Sequence, residues 1–284
     1  MRTIEARSII QPSGNFNLLR GCTHGCIYCD SRSTCYDVGP FEDIAIKKDA
    51  IETLTLELAR MKTKKILRTG GMSDPYVHME KDLGLMKQAL KAIHDHAHGI
   101  SVLTKSAMIL RDMDLYKAIH QRAKAIVQFT VTTPYDAIAR IIEPRVTLPS
   151  KRFETLKAFS DQGMTTGIWM TPILPFITDT PDAVRLIVKK AKAAGVTFIR
   201  VFGMGTTMRE GSRDYFYQAL DKHYPTLKDR YIKTYGNKYI CDSPRSEELW
   251  KAFRESCEAY GMLYRHEAID ALFELRKTTQ MTLF

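Results

Sequence analysis

The chain has 284 residues, 44% apolar and 26% charged, proportions that exclude a disordered or fibrous protein and leave room for a large buried core. No apolar run approaches the ~18–20 residues of a membrane-spanning helix, and the opening MRTIEARSIIQPSG lacks the apolar stretch of a secretory signal. The cytoplasm, where thiols stay reduced, is the expected location, and no membrane is expected as a partner. The net charge of +10 is compatible with a polyanionic partner, but the lysines and arginines are spread widely. Their densest run, residues 60–68, reads equally well as a helix end and a solvated turn.

In chain order, residues 16–20 predict a first strand, 47–61 a helix, and 65–70 a strand ended by glycine. A helix over 80–98 precedes a strand over 100–104, and a helix over 111–122 precedes a strand over 125–132. Residues 150–161 read as a helix capped by Ser150, 165–171 as a strand, 182–194 as a helix stopped by Gly195, and 197–202 as a sixth strand. Short apolar strands alternating with helices predict an α/β fold, a parallel sheet covered by helices. Right-handed crossovers allow an open doubly wound sheet or a barrel, partial or complete. After Gly205 the pattern turns to aromatic-rich helices (213–223, 247–260). The expected organisation is a core over residues 1–205 and a helical extension over 206–284 packed on it.

Three of the six cysteines, Cys22, Cys26 and Cys29, crowd into eight residues, which points to metal ligation rather than to disulfides. Thiolates at this spacing can converge on one centre from a single loop, and a cubane cluster held by three cysteines keeps its fourth iron open. Zinc is the alternative, with His24 or Cys35 completing the set. His24 lies between two of the cysteines, however, and the usual second ligand pair is missing. Cys241 and Cys257 are expected to pack as small hydrophobes.

The spacing Cys22-x3-Cys26-x2-Cys29, with Tyr28 before the last cysteine and a β/α series behind it, resembles the radical S-adenosylmethionine (SAM) superfamily. That resemblance implies a partial (β/α)6 TIM-type barrel and a [4Fe–4S] cluster on the three cysteines. It implies SAM chelating the open iron and cleaved to a 5′-deoxyadenosyl radical, with a reductant such as flavodoxin or ferredoxin as partner. Functional groups of such folds sit at the C-terminal ends of strands. There the resemblance assigns Gly70, Gly71 and Ser73, with Asp74 beside them, to the SAM amino group, and Lys105 to its carboxylate. It assigns the Tyr28 backbone to the adenine. Thr130 and Thr132, on one face of their strand, reach the ribose if that face is interior and are otherwise ordinary strand formers. Met170 and Gly203 at strand ends flank the adenine, with Met170 equally expected in the core.

Leu19-Arg-Gly-Cys-Thr-His-Gly-Cys-Ile-Tyr-Cys29, Met72-Ser-Asp-Pro75, Thr104-Lys-Ser106 and Ile142-Glu-Pro-Arg145 make residues 17–205 similar to the group containing spore photoproduct lyase. This implies a substrate in nucleic acid, reached by lesion repair or modification. One departure is Gly71, which stands where that lyase carries a hydrogen-donating cysteine; Cys35, Cys241 and Cys257 are the substitutes the chain offers. Glu143 and Arg145 are expected to form an ion pair at a helix start. Tyr215, Tyr217, Tyr231, Tyr235 and Tyr239, interleaved with Arg213, Lys228, Arg230 and Lys233, are expected to pack the extension, with base stacking as the alternative. Two further functions stay open: radical chemistry on a small metabolite or peptide, and a non-catalytic zinc or iron–sulfur protein. No catalytic residue, hydrogen donor or oligomeric state can be read from the sequence.

Overall fold

The computed structural model describes residues 2–275; the end of the expected extension, 276–284, lies outside the described residues. A small sheet comes first. β1 (Arg2–Ile4) runs parallel to β3 (Ala45–Lys47), which also pairs antiparallel with β2 (Leu19–Arg20). Helix α1 (Ala50–Arg60) then leads to β4 (Ile66–Thr69), followed by α2 (Glu80–Leu83), α3 (Leu85–Asp95) and β5 (Gly99–Thr104). After them come α4 (Met113–Arg122), β6 (Ala125–Thr130), α5 (Asp136–Ile142), α6 (Pro149–Ser160), β7 (Thr165–Trp169), α7 (Pro181–Ala193) and β8 (Phe198–Arg200). The five strands β4 to β8 form one parallel sheet in sequence order.

Successive side chains of a strand point to opposite faces, and here the two faces have different fates. Leu67, Ile100, Val102, Val127, Phe129, Ile168 and Ile199 join the main apolar core with Leu54 and Leu58 of α1, Leu90 and Ile93 of α3, Tyr116 of α4, Phe159 of α6 and Val188 of α7. Their neighbours on the opposite face line an interior lumen. Its floor is a separate cluster of Ile66, Ile126 and Phe198, closed by Ile269, Leu272 and Phe273.

Helices outside and a lumen inside make this the partial barrel that the family resemblance implies, and not the open doubly wound sheet that the strand pattern also allows. The sixth position is nearly vestigial. The chain touches the large sheet through a parallel bridge between Asn15 and Arg68 and through the Phe16 N–H, which donates to the Arg68 carbonyl at 2.8 Å. Leu19 and Arg20 of the expected strand over 16–20 pair with β3 instead. At the far edge, Leu263 lies parallel to Phe198, and the Ile199 N–H donates to its carbonyl at 2.9 Å.

Three local expectations are corrected. The helix over 80–98 is split into α2 and α3 by Gly84, whose φ of +60° is left-handed. Ser150 does not cap α6: Leu148 occupies that position with Pro149 in the first turn, and Ser150 Oγ donates to Asp136 Oδ2 at 2.7 Å. Residues 107–112 form a 3-10 turn before α4. Gly195 does stop α7, with φ of +67°.

Beyond β8, the strands β9 (Gly205–Thr207) and β10 (Ile240–Asp242) pair antiparallel around α8 (Ser212–His223) and α9 (Leu227–Tyr235). There Phe216, Leu220, Tyr231, Tyr235 and Cys241 pack against Cys26, Ile27 and Tyr28. Tyr231 and Tyr235 donate to the carbonyls of Pro175 and Asp242, each at 2.6 Å. Helix α10 (Ser246–Tyr260) buries Leu249, Phe253 and Cys257 in the main core, and α11 (His266–Ala271) closes the lumen floor. Among the described residues no helix is long and apolar enough to cross a membrane.

Gly167 of β7 faces the lumen, where a Cβ would lie 2.2 Å from the Phe198 ring. Gly167→Ala is therefore expected to lose about 1–3 kcal/mol by overpacking. The double variant Gly167→Ala/Phe198→Leu should recover part of it, and urea unfolding of both variants checks the pair.

Candidate active site

The cysteine loop leaves β2 through Gly21, whose φ of +91° and closeness to the Phe41 carbonyl, 2.6 Å from an ideal Cβ, suit glycine alone. The Cys22 N–H donates to that carbonyl at 2.9 Å, the Ile27 N–H to the Ile142 carbonyl at 3.0 Å, and the Arg145 N–H to the His24 carbonyl at 3.2 Å. The loop is thus tied to the segment between α5 and α6.

At the same place lies a fully buried ion pair, Glu143 Oε2 to Arg152 Nη2 at 2.5 Å. The Tyr28 hydroxyl donates to Glu143 Oε1, and Thr132 Oγ1 stands 3.4 Å from the same oxygen. Arg152 also donates to the carbonyls of Thr147 (2.6 Å) and Thr130 (2.8 Å). The expected partner of Glu143 is therefore corrected: Arg152, one turn into α6, takes it. Arg145 instead lies over Gly25, where a Cβ would meet its guanidinium at 3.0 Å. Burial would raise the Glu143 pKa, but Arg152, Lys105 and the hydrogen bonds from Arg152 and Tyr28 outweigh it and hold the carboxyl below its ordinary value.

A second buried carboxylate, Asp74, organises the opposite wall. Asp74 Oδ1 accepts from Thr104 Oγ1 (2.7 Å) and the Tyr76 N–H (2.9 Å), and Oδ2 accepts from the Lys105 N–H (2.8 Å). His24 Nδ1 is 3.4 Å from Oδ2. The connection after β4 passes so close to β5 that a Cβ on Gly70 would sit 1.8 Å from the Leu103 carbonyl oxygen, with φ of +99°. Gly71 meets nothing within 4 Å; it borders open space.

These walls enclose a cavity of about 70 Å³ that brings Cys22, Cys26 and Cys29 together with Gly70, Gly71, Asp74, Lys105 and Thr130. The other sequence candidates lie elsewhere. Ser73 lines a small neighbouring cavity with Asn17 and Leu85. The Tyr28 and Thr132 side chains are turned to Glu143, Met170 is packed in the core, and Gly203 lies near Asp242. Cys35 is exposed, with Arg209 Nη1 3.2 Å from its sulfur.

The donor set fits an iron–sulfur cluster. Burial pushes the Cys22 thiol up to about 11 and Cys26 up to about 12, so their thiolates need a compensating cation, which a bound metal provides. Among the described residues no three Cys, His, Asp or Glu side chains close round a single ion. A cubane asks for something else, one sulfur per iron, which thiols spaced around a cavity can meet. Burial would discharge Lys105, but Cys26, Glu143 and Asp74 hold its pKa above the ordinary value, so it stays cationic.

The pattern of residues did not disclose a second cavity, of about 310 Å³, in the lumen. It shares Gly71, Met72 and Leu103 with the cysteine cavity and is lined farther in by Arg68, Ser101, Gln128, Trp169 and Arg200. The available signal was a polar residue at an inward position of each of four largely apolar strands: Arg68 on β4, Ser101 on β5, Gln128 on β6 and Arg200 on β8.

The radical SAM superfamily model matches residues 16–187, which include the cysteine loop and the sheet through β7. The chain belongs to the radical SAM superfamily. An uncharacterised protein of Mycobacterium tuberculosis is 27% identical over 226 residues, 77% of this chain and 66% of that protein. One from Methanocaldococcus jannaschii is 30% identical over 161 residues, 56% of this chain and 60% of that protein. The chain spans just under two thirds of the length of these relatives. Among solved structures, spore photoproduct lyase complexed with dinucleoside spore photoproduct superposes with a TM-score of 0.65 at 14% identity, over 92% of this chain and 80% of the lyase. The radical SAM methyltransferase TsrM from Kitasatospora setae, with tryptophan and a SAM analogue bound, gives 0.56 at 13% identity, over 87% and 52%. At such identities the likeness is one of fold: in this radical SAM chain the cysteine loop lies where a partial barrel carries its functional end.

Removing one partner of the buried pair isolates a charge, so Arg152→Met should cost about 3–5 kcal/mol. Arg152→Met/Glu143→Leu, which removes both charges, should regain most of it in urea unfolding at neutral pH. With its pKa depressed in the fold, Glu143 stabilises the native chain above its unfolded value of about 4.3, and that stability is lost as pH falls through the folded value. The double variant should lose less stability than the wild type over that acid range.

Proposed function

We propose that this chain is a radical SAM enzyme that holds a [4Fe–4S] cluster on Cys22, Cys26 and Cys29 and binds SAM beside it. The observation that carries this reading is the single cavity shared by the three cysteines, the glycine pair and Lys105. Cluster and SAM together supply a 5′-deoxyadenosyl radical after one-electron reduction, the electron coming from a carrier such as flavodoxin or ferredoxin. Lys105 places a cation for the SAM carboxylate, and the backbone at Gly70 and Gly71 admits the amino group without a Cβ in the way. Asp74 works as a positioning group. Both of its oxygens already accept hydrogen bonds, and they hold Thr104 and the Lys105 backbone against the cysteine loop.

The lyase fold and the net charge of +10 support a nucleic-acid substrate. A specific observation supports a second reading, a small substrate: the lumen cavity beside Gly71, about 310 Å³, is of the size that takes a small molecule. Steep loss of binding with salt identifies the nucleic-acid case.

Anaerobically reconstituted, dithionite-reduced protein is expected to form 5′-deoxyadenosine from SAM, and Cys26→Ala to form none and to lose iron. A protein that binds zinc in place of iron and leaves SAM intact would sink the proposal. Lys105→Ala should keep its iron but bind SAM at least tenfold more weakly, as loss of a charged hydrogen bond implies; equilibrium dialysis with labelled SAM measures it.

A further inference from the structure

Between the apolar floor of the lumen and the cysteine cavity lies a polar layer that SAM chemistry leaves unused. Arg68 on β4 and Arg200 on β8 reach it from opposite ends of the sheet, and their guanidiniums sit 5.1 and 5.4 Å from the same ring, Phe273. One carboxylate answers the two cations: Asp270, 65% exposed, lies 2.7 Å from Arg200 Nη2. Arg68, an exposed residue, has no carboxylate partner among the described residues, and Arg200 Nε is buried without a hydrogen-bond acceptor. A buried donor left unpaired is costly, so an acceptor belongs there.

The neighbouring groups on the strands have the same bias. Gln128 Nε2 donates to Ser101 Oγ at 2.8 Å, and Trp169 Nε1 donates to Gln128 Oε1 at 2.7 Å. The amide oxygen is therefore engaged, while the Ser101 hydroxyl keeps its own proton to give. Arg68, Arg200 and Ser101 thus present donors and positive charge to a cavity of about 310 Å³.

We propose that this layer binds an oxyanion of the substrate, a carboxylate or phosphate group, between Arg68 and Arg200 in place of the Asp270 carboxylate. The rest of the substrate then extends past Leu103 and Gly71 into the cysteine cavity. Guanidiniums suit planar or tetrahedral oxyanions, and the Asp270 carboxylate, 65% exposed, returns to water when it leaves the largely buried Arg200. That the occupant is a substrate rests on the proposed radical SAM chemistry; anion binding itself does not.

The test is calorimetric titration of the cluster-loaded full chain with two matched pairs of probes, glutarate against glutaramide and ribose 5-phosphate against ribose. At least one anion should bind where its neutral mate does not; glutarate alone assigns the site to carboxylates, ribose 5-phosphate alone to phosphates. Arg68→Gln and Arg200→Gln should each weaken that binding tenfold or more, and Asp270→Asn should tighten it several-fold, with circular dichroism and iron content checking the fold of each variant. Binding of neither anion, equal binding of the neutral mates, or affinities indifferent to all three substitutions would overturn the proposal. Anion binding without 5′-deoxyadenosine formation would keep the site and remove the enzymatic reading.

Discussion

The buried pair of Glu143 and Arg152 holds the functional end of this barrel together. Two charges with fully buried side chains persist because every polar atom around them is used: Arg152 serves two carbonyls besides Glu143, and Glu143 also takes the Tyr28 hydroxyl. One of those carbonyls belongs to Thr130, the last residue of β6. The pair therefore joins three things that lie far apart in sequence: the cysteine loop, the end of a central strand and the start of α6. An apolar contact would give comparable stability but no direction. The hydrogen bonds set where Tyr28 sits, and with it the cysteines on either side.

The opposite wall depends on a different economy of space. Gly70 lets the β4 connection pass against the backbone of β5, and Asp74 then reaches Thr104 and Lys105. With both walls placed, cysteines from a loop, glycines from one strand end and a lysine from the next border a single cavity. The lumen continues inward from it in layers: thiols and Lys105 at the mouth, arginines and amides in the middle, and an apolar floor sealed by α11. The layering follows from strand alternation, since each inward position is one step of a two-residue period.

Much of this was legible beforehand. The β/α alternation and the cysteine triad are local patterns, and local patterns survive in a linear chain. Five of the six expected strands overrun the observed ones, because pairing ends where the backbone turns toward the site, as at Thr130 and Arg200. The helix over 80–98 was read through Gly84, because a glycine's left-handed φ is a choice the fold makes. The pairing of Glu143 with Arg145 failed because proximity in sequence is not proximity in a loop. Arg152, nine residues on and one turn into α6, points into the core, where Arg145 does not.

The sequence by itself determined the family, the close spacing of the three cysteines and the parallel α/β architecture, since each rests on residue type at short fixed spacing. Tertiary structure alone decided which polar groups meet: Glu143 with Arg152 and Tyr28, Asp74 with His24 and Lys105, and Arg68 and Arg200 each with the ring of Phe273. Those meetings join segments separated by tens of residues or more, or turn on which way a side chain faces. The distances involved are set by packing of the whole chain, and no short stretch of it carries that information.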